Sequence, residues 1–343
     1  RVIASPFNDT EAALEVASQA DVTIVVAGTT SGESKDRPNL NLDDGVDDLI
    51  VAVAGQAKET VVLVMVPGAV LMPWRGSVAG ILAMFLGGQE SGSAWADVLF
   101  GDHAPTGRLP VMIPASEEDT IPPDSDLSVV YSEGMATSYR NAKFAAAFPF
   151  GHGLTYTTFE YLEPALANCT DTTSSSINKM LEAVVCIRAP VQNNGFAAAR
   201  AVVQLYVELS PESGHAVPLL KGFHKTSMLL PGESENVTFR LSARDLSYYA
   251  VGAAGGGAWH LGRTATAHIG ESSADLRRLL PLPVQEAVGV EAPPTGSYAL
   301  SWLGAAAALC TVAIFSWYIG ACNDHQQRSV ELLDTSDNAD SGS

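Results

Sequence analysis

The sequence predicts an α/β domain with a mainly parallel sheet, then an antiparallel β-sandwich, then one transmembrane helix. Three observations carry that reading. Up to about residue 159, short continuous apolar runs at 22–27, 61–66 and 81–85 alternate with amphipathic stretches. That is the rhythm of βαβ units whose strands are buried on both faces. Beyond it, four period-2 runs at 183–189, 201–209, 235–241 and 264–269 follow one another with turns but no helix between them, the pattern of an antiparallel sandwich. Finally, 298–319 contains no charged residue. As a helix it measures about 33 Å at about 1.5 Å per residue, close to the hydrocarbon core of a bilayer.

Taken in order, the chain opens at Arg1 with a helix over 10–19 that runs into the strand at 22–27. A chain that begins inside a domain reads as one truncated at its start. The strand ends in Gly28 and opens into the polar loop Ser31-Gly32-Glu33-Ser34-Lys35-Asp36-Arg37-Pro38-Asn39-Leu40-Asn41-Leu42. Parallel strands deliver functional residues at this end. Glu33 is the acid of interest, with Lys35, Asp36 and Arg37 close by to set its ionisation. These residues alone are equally compatible with a solvated charged loop. Helices follow over 45–57 and 91–100. The second is entered through Gly87-Gly88-Gln89-Glu90-Ser91-Gly92, which lacks the features of a dinucleotide fingerprint and reads as a tight turn capped by Ser91. From 101 to 140 the chain is rich in Pro, Gly, Asp and Ser, predicting surface connections around one short strand at 109–113. In the sandwich, Asn193-Asn194-Gly195 and Leu230-Pro231-Gly232-Glu233 supply turns.

The net charge of −19, from 38 acidic and 19 basic residues, excludes a nucleic-acid partner, because phosphate binding needs clustered Lys and Arg. Four cysteines are too few for a disulfide-built scaffold and are spaced wrongly for zinc. Cys169 and Cys186 are candidates for a disulfide, with buried free thiols as the alternative. Cys310 falls within the apolar run; Cys322, at its border, is either an acylation site or a plain thiol. Asn8, Asn168 and Asn236 each open an N-x-Thr glycosylation signal, and all three precede the apolar run. Tyr298, Trp302, Trp317 and Tyr318 sit near its ends, where interfacial aromatics belong. The expected topology is a single-pass membrane protein with an extracellular or lumenal bulk, a Pro/Gly stalk at 285–297, and a disordered acidic cytoplasmic tail at 320–343.

Several stretches in register resemble the C-terminal half of glycoside hydrolase family 3 enzymes, β-glucosidases in particular. They are Ser31-Gly32-Glu33 with Asp36-Arg37 and Leu40-Asn41-Leu42; Val70-Leu71-Met72-Pro73-Trp74; Gly88-Gln89-Glu90; Ala96-Asp97-Val98-Leu99-Phe100-Gly101-Asp102; Pro105-Thr106-Gly107-Arg108-Leu109-Pro110; and Phe148-Pro149-Phe150-Gly151-His152-Gly153-Leu154. Val203-Gln204-Leu205-Tyr206-Val207, Leu220-Lys221-Gly222-Phe223 and the stretch from Leu230 to Leu246 resemble that family's fibronectin type III-like domain. The resemblance covers roughly residues 10 to 275. It divides the chain into a family 3 C-terminal α/β sandwich at 1–160 and a fibronectin type III-like domain at 161–284.

What the resemblance implies is a retaining exo-β-glycosidase acting on a β-linked glucoside or oligosaccharide, with no cofactor and no metal. Its two carboxyl groups work in succession. The nucleophilic Asp belongs to an N-terminal barrel absent from this chain, and Glu33 matches the acid/base position. Many relatives read SGEGYDR where this chain reads SGESKDR, so Ser34 and Lys35 replace a glycine and an aromatic. Asp36 and Arg37 keep the family spacing and read as loop supports or substrate contacts. Trp74 is expected to pack at a strand end rather than stack a sugar. Glu90 is the second-ranked carboxylate and a cap for its helix, and His152 varies within a turn between domains. The rival expectation is a non-catalytic, membrane-tethered carbohydrate-binding or adhesion protein, which Ser34, Lys35 and the missing barrel favour.

Overall fold

The structure, a computed structural model, describes residues 2–5, 9–35, 37–122, 130–169, 183–251 and 256–284. Asn8, Asp36, Cys310, Cys322, the stalk, the apolar run at 298–319 and the acidic tail lie outside the described residues. Among the described residues no helix is long and apolar enough to cross a membrane.

The first layer starts with α1 (Thr10–Gln19), whose first turn is capped by Asp9 accepting from the Ala12 amide at 2.9 Å. Strands β1 (Thr23–Gly28), β2 (Thr60–Met65) and β3 (Gly80–Met84) form a parallel sheet in the order β1-β2-β3. Helix α2 (Val46–Gln56) connects the first two, and α3 (Ser91–Leu99) follows the third. On one face Val25 and Ala27 stand beside Val62 and Val64 and pack with Val46, Ile50 and Trp74. The expectation of burial on both faces holds for the middle strand but not for β1, where Ile24 and Val26 are 47% and 61% exposed. The cause is positional: β1 is an edge, and these two side chains project to the face opposite Val25 and Ala27. The expected strand at 109–113 shrinks to β4 (Ile113–Pro114), paired with β5 (Ala146–Phe148). Leu109 instead exchanges backbone bonds with the turn at Gly151 and His152, and Pro110 has no N–H to continue a ladder.

The sandwich consists of two antiparallel sheets. One contains β6 (Phe159–Tyr161), β7 (Ala165–Ala167), β8 (Ala183–Asn193) and β11 (Ser234–Ser242), with β8 at its centre. The other runs β10 (Leu219–Lys225), β9 (Val202–Leu209), β14 (Ala265–Ser272), β15 (Asp275–Leu282). Ile187, Val191, Val203, Leu205, Val207, Leu241 and Ile269 fill the space between them. A hairpin of β12 (Ser247–Val251) and β13 (Gly257–Leu261) stands apart from both sheets. Cys169 and Cys186 are joined by a disulfide beside the β7–β8 pairing.

Strand β9 breaks the half-exposed alternation read from its sequence. Seven of its eight positions are buried. Val203, Leu205 and Val207 face the sandwich core, while Gln204 and Tyr206 point at the first layer. There the Gln204 amide donates to the Gly151 carbonyl at 2.9 Å and also to that of Glu271, and the Tyr206 hydroxyl donates to Gln204 Oε1 at 2.7 Å. Gly151, at φ +80°, is the residue this approach requires, since a Cβ would lie 2.2 Å from Gln204 Oε1. Burial pushes the Tyr206 phenol well above its ordinary value, with the neighbouring Tyr139 adding to the effect.

Candidate functional site

The loop after β1 is held by carboxylates that belong to later segments. Thr29 Oγ1 donates to Asp43 Oδ1 at 2.7 Å, and the Thr30 amide and hydroxyl donate to Asp43 Oδ2 at 2.8 and 2.9 Å. These donors, the Thr29 hydroxyl foremost, hold the Asp43 carboxyl below the usual range, with Arg37 contributing more weakly. Asp44 and Gly45 then adopt left-handed conformations, φ 57° and 71°, which turn the chain into α2. In the first turn of α2, Asp47 accepts from the Leu42 amide at 3.0 Å through Oδ2 and from Trp74 Nε1 at 2.6 Å through Oδ1. Glu117 accepts from the Leu40 amide at 3.0 Å, and the Leu71 amide donates to the Leu40 carbonyl at 2.8 Å.

Within this frame residues 32–35 form a tight turn closed by a bridge between Gly32 and Lys35. Glu33 sits at its tip, exposed, and Ser34 takes a left-handed φ of 58°. Among the described residues Glu33 has no hydrogen-bond or ion-pair partner, and Lys35 forms no ion pair with it. Arg37 secures the other end of the turn: Nη2 donates to the Ala69 carbonyl at 2.7 Å, while Nη1 is buried with no hydrogen-bond partner among the described residues.

The remaining sequence-read residues divide clearly. Trp74 is 1% exposed and its indole N–H is spent on Asp47, so it is core and presents no face to a sugar. Glu90 does not cap α3 through its side chain. It occupies the N-cap position, but at φ −90°, ψ 15° its carboxylate accepts no first-turn N–H; capping geometry wants an extended residue there. Ser91 does not cap either, because it is already helical and its hydroxyl donates to the Gly88 carbonyl at 2.7 Å. His152 stacks on Phe148 with ring centroids 5.5 Å apart; burial and then Arg108 hold its pKa down, while Asp275 acts in the opposite sense. Asn168 and Asn236 are exposed. Sequence reasoning passed over Asp43, Asp47 and Glu117. The one signal for Asp43 and Asp47 was the acid-rich entry to a helix just after the loop. Among the described residues no group of His, Cys, Asp and Glu could hold a metal ion.

Comparison with known proteins places these elements. Residues 6–156 match the glycosyl hydrolase family 3 C-terminal domain, and residues 201–273 match a fibronectin type III-like domain. The chain is 36% identical over 248 residues to thermostable β-glucosidase B of Acetivibrio thermocellus, covering 69% of this chain and 32% of that protein. It is 33% identical over 307 residues to the probable β-glucosidase L of Aspergillus fumigatus, covering 81% and 40%. Among solved structures it superposes on the β-D-glucoside glucohydrolase of Trichoderma reesei with a TM-score of 0.72 at 29% identity, covering 80% of this chain and 41% of that one. With DesR, a β-glucosidase of Streptomyces venezuelae in complex with D-glucose, the TM-score is 0.69 at 31% identity, over 80% and 35%. The chain thus spans from 32% to 41% of the length of these relatives.

Proposed function

We propose that this chain, built from the C-terminal domain of glycosyl hydrolase family 3 and a fibronectin type III-like domain, supplies the acid/base half of a retaining exo-β-glycosidase. The substrate class is a β-linked glucoside or oligosaccharide, cleaved from its non-reducing end. The observation that carries the reading is Glu33, without a partner among the described residues and exposed at the tip of a turn whose base is braced from three sides. In such chemistry one carboxyl protonates the leaving oxygen while a carboxylate attacks the anomeric carbon; the first then takes a proton from the water that releases the sugar. Glu33 is assigned the first role. The attacking carboxylate comes from a barrel outside this chain. Asp36 and Arg37 support the loop or touch substrate, and Arg37 does the former through Ala69. The apolar run at 298–319 anchors the protein in a bilayer, with the domains and the glycosylation signals at Asn8, Asn168 and Asn236 on the extracellular or lumenal side.

Glu33→Ala, expressed together with a family 3 barrel, should lower kcat/KM on an oligosaccharide by about 10²–10⁴-fold. On an aryl glucoside, azide should restore turnover and yield the β-glycosyl azide, because the small nucleophile needs no general base. Normal activity without azide would remove Glu33 from the mechanism. The chain alone should show no turnover. A second reading, a membrane-tethered carbohydrate-binding or adhesion protein that has lost its chemistry, is favoured by Ser34 and Lys35; measurable Glu33-dependent hydrolysis decides against it.

A further inference from the structure

Lys221, Arg140 and Arg244, with His215 and one carboxylate, Asp245, act on one another where the first layer meets the sandwich. The meeting is pinned by Tyr139, whose hydroxyl accepts from the Leu220 amide at 3.1 Å. Its ring stacks on Phe150 at 4.7 Å and meets Tyr206 edge-on at 6.1 Å. That anchor sets the short 3₁₀ turn Ser138–Arg140 against β10. The strand is irregular at the same point: Leu220 pairs with Tyr206 and Gly222 with Leu205, which leaves Lys221 as the extra residue of a bulge. Bulges re-aim a side chain out of the ladder. Lys221 lies in the electrostatic fields of Arg140, Arg244 and Asp245, and His215 lies in those of Arg140 and Lys221.

The charges do not balance locally. Among the described residues none of Arg140, Lys221, His215 and Arg244 forms an ion pair with a carboxylate. Asp245 is the acid nearest in effect, but its Oδ2 already accepts from the Ser242 amide at 2.9 Å and hydroxyl at 2.7 Å. The Arg244 guanidinium lies 3.3 Å over the Trp259 ring. Burial is the main force lowering the Lys221 pKa, and Arg244 and Arg140 add to it against Asp245. Lys221 and two guanidinium groups thus act in the field of a single, already engaged carboxylate, in a chain whose net charge is −19. A half-buried ammonium and a nearby guanidinium, one from each domain, match the oxygens of a single oxyanion.

We propose that this seam is an oxyanion-binding site, in which a phosphate or carboxylate group bridges Lys221 and Arg140 across the two domains. The ligand is either inorganic phosphate, free or on a sugar, or the carboxylate of an acidic sugar. Calorimetry on the full chain at fixed ionic strength separates them, with inorganic phosphate and glucuronate as probes and glucose as the neutral control. At least one anion should bind in the millimolar range or tighter, and glucose should give no heat. Lys221→Met and Arg140→Gln should each weaken binding about tenfold or more, as loss of a charge-assisted contact demands. Without anion, Lys221→Met should keep or raise the melting temperature, since it removes an unpaired half-buried charge while retaining the stem's packing. Absence of heat with both anions, binding that survives both substitutions, or an anion-free Lys221→Met that melts lower would each overturn the site.

Discussion

The sandwich and the Glu33 loop are stabilised by opposite means. In the sandwich, alternate residues of facing strands meet across a dry interior; Ile187, Leu205 and Leu241 are fully buried. Its stability follows apolar area removed from water, at about 25 cal/mol per Å². The loop buries little. It is set by polar contacts from Asp43, Asp47 and Glu117 to amides and hydroxyls on residues 29–42, and to Trp74. Even the strand beneath it leaves Ile24 and Val26 open on one face. An apolar module therefore abuts a layer that has a core of its own around Ile50, Val62 and Trp74, and the Glu33 loop on that layer is ordered by directional contacts instead.

The strongest way to break this contrast is to remove matched apolar bulk from both sides. Leu205→Ala should cost about 2–5 kcal/mol, the range for cavities in a core that relaxes only partly. Ile24→Ser, on the open face of β1, should stay within about 0.5 kcal/mol of the parent. Urea unfolding followed by tryptophan fluorescence reads both. Comparable losses at the two positions would mean that the β1 face is packed in solution and that the contrast is false.

A pH series sharpens the comparison, because the two regions contain carboxyls shifted in opposite directions. Asp43 is held low by hydrogen bonds from Thr29 and Thr30. Its contribution is present above its unfolded value, near about 3.9, and is lost as pH falls through the lower folded value. Glu271, at the seam, is held high by burial and to a smaller extent by Asp275, against the pull of Arg277 and Arg108. Its contribution is complete below the unfolded value, near about 4.3, and is lost as pH rises through the folded one. Asp43→Asn should flatten the acid limb of the melting-temperature profile, and Glu271→Gln should flatten the decline above it. Identical profiles for the two variants would refute the assignment.

What could be read in the sequence follows the same division. Apolar runs announced β1, β2, β3, β8, β9, β11 and β14, because burial leaves a compositional mark. β10 and β15 escaped notice: Leu219–Lys225 and Asp275–Leu282 are partly exposed and interrupted by Lys, Gly, Arg and Pro. The seam was also invisible. Gln204 and Tyr206 look like the wet positions of a period-2 strand until another layer covers them. Glu33 was singled out through its neighbours Ser31, Gly32, Asp36 and Arg37. The residues that brace its loop were not, since a carboxylate accepting from a distant amide has no local pattern; nothing near Leu40 points to Glu117.

The last effect lies in the turn itself. Ser34 holds φ at 58°, where a Cβ crowds the backbone and a non-glycine residue costs about 1–3 kcal/mol. Its hydroxyl makes no hydrogen bond among the described residues, so little is lost with the side chain. Glycine at this position relieves the crowding but gives the unfolded chain more freedom, worth about 0.5–1 kcal/mol. Ser34→Gly should therefore stabilise the protein by between about 0 and 2.5 kcal/mol, with slower amide exchange in residues 32–35. Destabilisation would show instead that the serine side chain holds the turn, and that the Glu33 loop is more tightly built than its exposed tip suggests.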